Sequence, residues 1–296
     1  MGDTGRTAGR GAIASIAVGV ALTACGALGQ QYPPEPRPTT AIDCADLEPP
    51  GGAPGDAPIM LTLGGKIGGW GSSGSSGITV IYADGAVADF EDAPFEATAS
   101  RPGGLHGRFV APYYGPSPGV FRAGHLSSCA LEELVAQADV VFAQPDRDFG
   151  QPGITDQPSS TVSYRAPGTE RITTYSIYAF GHERNDDRVD TNVSRTQLEA
   201  RDQVTEMINF VTANIVPGDL IGVERLEVYN IGGVADGEVT WPGPVPSDIM
   251  TTHDCGELSG EDAATVFEFL AAGNEPGDDL DYRFFVRTLP PLLPAC

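Results

Sequence analysis

Apolar residues recur along this chain at two spacings, and the switch between them marks its elements. Alternation with a period of two is clearest over residues 78–90, where Ile78, Val80 and Tyr82 face one way. Asp84-Gly85 follows, a favoured pair for a two-residue type I′ hairpin turn. A second hairpin is expected from strands 161–165 and 171–180 around Ala166-Pro167-Gly168-Thr169, with Tyr175, Ile177 and Ala179 facing opposite to Thr174 and Ser176. Shorter apolar runs at 59–63, 120–123, 225–231 and 282–288 read as further strands, and a less regular stretch including 108–114 as an edge strand. The helical period appears at Leu131, Leu134, Val135 and Ala138, behind a start at Ser127 or Ser128. It returns at Leu198, Val204, Met207, Ile208, Val211 and Ile215, behind the capping box of Ser194 and Gln197, with Pro217-Gly218 as the stop. A third helix is expected over 259–272, ended by Gly273. The pattern predicts an α+β fold: a mainly antiparallel sheet built from hairpins, with about three helices packed on it.

The N-terminus follows neither period. Arg6 and Arg10 precede an uncharged run from Gly11 to Leu22, the layout of an export signal. It ends in Leu22-Thr23-Ala24-Cys25-Gly26, which resembles the lipobox of bacterial lipoproteins. That resemblance implies a diacylglyceryl group on the Cys25 thiol, cleavage just before it and Cys25 as the new N-terminus. Two acyl chains suffice for stable attachment, whereas one binds marginally. An uncleaved membrane helix and a plain secretory signal are the alternatives, the first because residues 11–29 carry no charge. The expected organisation is a signal peptide over 1–24, a lipidated N-terminus and Pro-rich tether over 25–58, and a body over 59–296. The body divides further, if at all, into 59–232 and a smaller unit over 233–296. Eight prolines lie between residues 33 and 58, and 33 residues at about 3.1 Å each reach roughly 100 Å.

Composition narrows the functional classes. A net charge of −23 argues against a nucleic-acid partner, whose phosphates demand a basic face. It equally disfavours adhesion to anionic lipid, which leaves the acyl group at Cys25 as the membrane contact. With 38 glycines and 25 prolines the chain is rich in turns. Lys66 is the only lysine among 17 basic residues, which fits the coding bias of GC-rich bacteria. Besides Cys25 there are four cysteines, Cys44, Cys129, Cys255 and Cys296, and an even number in an exported chain reads as two disulfides. Three pairings exist; Cys44 with Cys129 and Cys255 with Cys296 is favoured, because the latter two bracket the last structural unit. Closing that 41-residue separation stabilises by about 4 kcal/mol in the chain-entropy model.

No spacing in the sequence marks out a reaction or a metal. The Gly/Ser-rich run over 64–77 lacks the P-loop glycine spacing before Lys66 and contains no G-x-S-x-G, so it reads as a flexible loop. His182-Glu183 lacks the second histidine of a zinc helix, and Asp148-Phe149-Gly150 lacks every companion of the kinase tripeptide. His106, His125, His182 and His253 lie far apart. Asp186, Asp187, Asp190 and Asn192 offer oxygen ligands for calcium but not the glycine and terminal glutamate of an EF-hand loop. No catalytic residue, metal or cofactor is therefore expected. Cys25 is the one lipid-attachment site.

The order of elements, together with the lipobox, the Gly-rich loop before Ile78-Thr79-Val80-Ile81-Tyr82-Ala83-Asp84-Gly85, the helix at Ser128, Asp156-Gln157-Pro158-Ser159-Ser160-Thr161, Tyr178-Ala179-Phe180-Gly181, Trp241-Pro242, the helix after Cys255 and the tail Arg287-Thr288-Leu289-Pro290-Pro291-Leu292-Leu293-Pro294, resembles a group of uncharacterised secreted lipoproteins of actinobacteria. The resemblance brings no activity with it. The functional expectation is a lipoprotein on the outer face of the cell membrane, palmitate-bearing and non-catalytic, that binds an envelope protein or ligand or supports an assembly. A small-ligand carrier or sensor is the first alternative, and a cell-wall hydrolase the second.

Overall fold

The structure, a computed structural model, describes residues 52–67, 77–91, 119–155, 157–182, 184–185, 188–189, 192–230, 242–244, 246–252, 255–272 and 284–295, all within one compact unit. The expected edge strand around 108–114, the export signal, Cys25, Cys44 and Cys296 lie outside the described residues.

The fold is α+β. A seven-stranded sheet is built first as a meander of β1 (Ile59–Ile67), β2 (Ile78–Tyr82), β3 (Ala86–Glu91) and β4 (Val120–His125). Helix α1 (Ser128–Phe142) then carries the chain across one face to β5 (Ser159–Arg165) and β6 (Ile172–Tyr178), which add to the free side of β1. After the small ribbon β7 (Arg184–Asn185) and β8 (Arg188–Val189), helix α2 (Arg195–Asn214) returns the chain to β9 (Val216–Ile221), the partner of β4. The sheet order is β6-β5-β1-β2-β3-β4-β9, antiparallel at every described pairing.

The first hairpin differs from the expected type I′ turn. Ile81 pairs with Val87, so Ala83, Asp84 and Gly85 all lie in the loop, and only Gly85 has positive φ, at 86°. A type I′ turn needs positive φ at both central residues; here the Gly85 N–H donates to Tyr82 O at 3.0 Å and glycine alone takes the left-handed position, as in three-residue hairpin loops. Strand β1 also runs four residues into the Gly-rich run expected to be loop, with Lys66 opposite Ser160 past an irregularity at Gly64–Lys66. Nor does Pro217-Gly218 simply stop the second helix, because it begins β9. Proline is tolerated there because β9 is an edge strand. Gly124 lets that edge approach: a Cβ on it would come within 2.9 Å of Ile215 Cγ2.

The main core lies between the sheet and the two helices, where Leu61, Leu63, Ile81, Val162 and Ile177 meet Leu134, Ala138, Val204, Met207 and Phe210. Phe142 stacks on Tyr175 at 4.8 Å between ring centroids and lies 5.3 Å from Tyr164. On the sheet's opposite face Val80, Tyr82, Ala86, Ala88 and Phe121 form a second cluster with Ala57 and Ile59. Residues 52–58, expected within the tether, fold into a turn beside Asp84 and Pro291.

The C-terminal part forms a four-stranded antiparallel sheet. After β10 (Arg225–Asn230) come a single helical turn α3 (Pro246–Ile249), β11 (Met250–Thr252), β12 (Cys255–Ser259), α4 (Gly260–Ala271) and β13 (Phe284–Thr288), in sheet order β11-β12-β10-β13. Leu226, Val228, Leu258 and Val286 pack on Ala263 and Val266 of α4. The opposite face, carrying Arg225, Glu227, Cys255, Glu257 and Arg287, is charged.

Candidate functional site

Two places concentrate chemistry. The charged face is the first, and pairing register explains it: Glu227 sits opposite Glu257 on one side and Arg287 on the other. Arg225 grips Glu257 with two hydrogen bonds, 2.6 and 2.8 Å, which hold that carboxyl below the usual carboxylate range. Its remaining nitrogen donates to the Leu293 carbonyl at 2.8 Å and the Pro290 carbonyl at 3.4 Å, so one guanidinium ties the tail to the sheet. Glu227 is fully buried and accepts from Arg287 Nε and, at 2.9 Å, from the Tyr229 hydroxyl. Burial of the ring and the Glu227 charge push the Tyr229 hydroxyl pKa up. Nearby, the buried Tyr82 donates its hydroxyl to the Pro291 carbonyl at 2.7 Å, and desolvation raises its pKa well above the ordinary phenol.

Cys255 opens β12 on this charged face, with Sγ 3.8 Å from Glu227 Oε1. Both Cys255 and Cys129 are disulfide-bonded. Cys129 lies in the first turn of α1, where the Ser127 side chain, the helix N-cap, accepts from Ala130 N at 3.3 Å.

The second place is a half-open cleft of about 550 Å³ between the start of β1, the β5–β6 turn and the outer flank of α1. Its apolar walls come from Met60, Leu131, Val135 and Ala166. The helical stripe explains why they are free to do so. All four residues of the expected apolar stripe, Leu131, Leu134, Val135 and Ala138, meet the core, and the fully buried face of α1 is Ala130, Leu134, Ala138, Val141 and Phe142. Leu131 and Val135 are only partly buried, and they turn toward the β5–β6 turn. That turn closes with the Thr169 N–H donating to Ala166 O at 3.1 Å and Gly168 at φ 73°, which holds Arg165 and Glu170 at the cleft.

Arg165 is the polar centre of this cleft. Its Nη1 is 3.8 Å from Glu170, a carboxylate almost wholly in solvent, so the pair contributes little. Its Nε–H is buried and has no acceptor, the one buried side-chain nitrogen or oxygen in that state among the described residues. An unmet buried donor costs about 1–3 kcal/mol. Sequence reasoning gave Arg165 no role; the signal that was present is the pair Leu131 and Val135, which pack against the edge of the core and also line the cleft.

The remaining candidates separate. Among the described residues no group of three or more His, Cys, Asp or Glu side chains is placed to hold a metal. Asp186, Asp187 and Asp190 of the suggested calcium loop, and His106 and His253, lie outside the described residues. Asp148 and Gly150 of the kinase-like tripeptide serve structure: Asp148 accepts from Gly150 N at 2.8 Å and from Gln197 Nε2 at 2.6 Å, which lowers its pKa and docks the loop on the capping box of α2. Among the described residues no helix is long and apolar enough to cross a membrane. No protein-family model, curated protein or solved structure matches the chain.

Proposed function

We propose that this chain is a lipid-anchored lipoprotein on the outer face of the cell membrane, held by Cys25, that acts by binding rather than by catalysis. The kinship with secreted actinobacterial lipoproteins belongs to the same proposal. The single observation that carries the binding half is the half-open cleft beside Arg165, whose walls come from Met60, Leu131, Val135 and Ala166 and whose volume falls in the size range of small-molecule sites. Three other arginines are committed to structure: Arg122 to Glu91 and Gly218, Arg201 to three carbonyls, Arg225 to Glu257 and the tail. The extracytoplasmic half is supported by the oxidised state of Cys129 and Cys255, since disulfides persist outside the reducing cytoplasm.

The cleft favours the carrier or sensor form of this function over envelope assembly, because a concave site of this volume takes a small ligand. Both halves can be tested in living cells. Wild-type protein should take up an alkyne-tagged palmitate analogue and be removed from intact protoplasts by added trypsin. Cys25→Ala should lose the label completely and accumulate as uncut precursor; label retained in that variant, or protection from trypsin, rules the anchor out.

A further inference from the structure

We propose that β6 is a pairing edge for a second copy of this chain, and that two copies join their seven-stranded sheets antiparallel about a twofold axis at Thr174. β6 closes one side of the large sheet, and among the described residues β5 is its one strand partner. The Ala179 N–H donates to Pro158 O at 3.0 Å, in register with the pairing of Ser159 and Tyr178. Inward and outward backbone groups alternate along an antiparallel strand. Thr173, Tyr175 and Ile177 therefore turn theirs to β5, and the N–H and C=O of Ile172, Thr174, Ser176 and Tyr178 point away from the sheet. The Tyr178 carbonyl accepts from Arg201 Nη2 at 2.9 Å, which ends the open row. Ile172 to Ser176 is left as a template for another strand.

The other edges of the two large sheets carry features that discourage such pairing. β9 holds Pro217 and Asp219, β11 is three residues long, and β13 carries Arg287. β6 has no charge, proline or glycine, and its Ile172 is 53% exposed. At a net charge of −23 two copies repel each other, so an uncharged edge is where they can approach. A basic partner would gain nothing from an uncharged strand, whereas a second copy needs one. An edge is also complementary to itself when turned antiparallel. With the axis at Thr174, Ile172 lies opposite Ser176 of the second copy, and every free outward N–H and C=O from Ile172 to Ser176 finds a partner. Glu170 then lies opposite Tyr178 and Arg171 opposite Ile177, so no like charges face each other across the seam. One strand pair buries less than a standard interface, which makes the dimer weak and concentration-dependent. Neither the anchor nor the cleft is needed for it.

The test follows the full chain, purified in density-matched detergent, by sedimentation equilibrium over a concentration series at low and at raised salt. Wild-type protein should show a monomer–dimer equilibrium that tightens as salt screens the charge. Thr174→Asp places two carboxylates across the axis, and Thr174→Pro removes only an outward N–H, which an edge strand tolerates. Each should weaken the dimer by roughly tenfold or more, with the circular dichroism of the fold unchanged. Thr174→Cys should link to its own copy under mild oxidation, because a hydrogen-bonded antiparallel pair holds its Cα atoms about 5.5 Å apart, inside disulfide range. Asp219→Cys on β9 should not. A wild-type protein that stays monomeric at every salt, a dimer left intact by both the Asp and the Pro variant, or linkage of Thr174→Cys to a different polypeptide alone overturns the proposal.

Discussion

Arg201 is the side chain whose role is least expected from its neighbours in sequence. It lies on the inner face of α2, fully buried among Leu198, Val204 and Phe210. A buried guanidinium is tolerable only if its donors are met. Nε donates to Phe149 O at 2.6 Å, and Nη2 to Gly150 O at 3.0 Å and Tyr178 O at 2.9 Å, so one residue closes the loop before β5 and the end of β6 together. Arg201→Met should keep the volume but strand those carbonyls, lowering stability by about 3 kcal/mol as read from the urea midpoint. Arg201→Lys should recover less than half of that, because an ammonium cannot reach three carbonyls in a planar fork. Helical periodicity did not reveal this residue: the buried face expected for α2 comprised only apolar side chains, and Arg201 counts as polar in any such pattern.

At the scale of elements, legibility followed locality. The capping box of Ser194 and Gln197 is present as expected, with both reciprocal hydrogen bonds formed, because it needs only four consecutive residues. The alternation in β6 is also as read, with Tyr175 and Ile177 buried between exposed neighbours. Strands β9 and β12 and the extension of β1 were illegible for the opposite reason: each exists through a pairing partner distant in sequence, and Val216-Pro217-Gly218-Asp219 offers no strand pattern of its own. The first hairpin lies between these cases, since Asp84-Gly85 correctly marked a reversal while the register set by Ile81 and Val87 decided its length. Gly85→Ala should therefore cost about 1–2 kcal/mol, the price of a side chain at left-handed φ, measured as a shift in denaturant midpoint. Asp84→Ala should cost less, through loss of the 3.1 Å bond that its carboxylate accepts from Ala86 N.

For the whole molecule, the tail and the cysteines govern how the C-terminal sheet is held. Arg225 and Tyr82 fix the carbonyls of Pro290, Pro291 and Leu293, and Cys255 lies beside Glu227 on the face of the sheet that carries Arg225. The pairing expected from the sequence is Cys255 with Cys296 and Cys44 with Cys129. Non-reducing peptide mapping should return those two linkages and no other among the four cysteines. Cys255→Ser should lower stability by about 4 kcal/mol in the chain-entropy model, and a Cys255–Cys44 linkage would contradict the arrangement. The class of the fold was readable from pattern alone because hairpins and amphipathic helices advertise themselves. The cleft was not, because it arises where a helix flank meets a turn more than thirty residues later.

The proposed function depends on display of the chain outside the cell on a lipid at Cys25. Mass spectrometry of the N-terminal tryptic peptide from the natively expressed protein tests that directly. The peptide should begin at Cys25 and carry the diacylglyceryl mass on its sulfur. A peptide that begins upstream of Cys25, or one that begins there with an unmodified thiol, would contradict it.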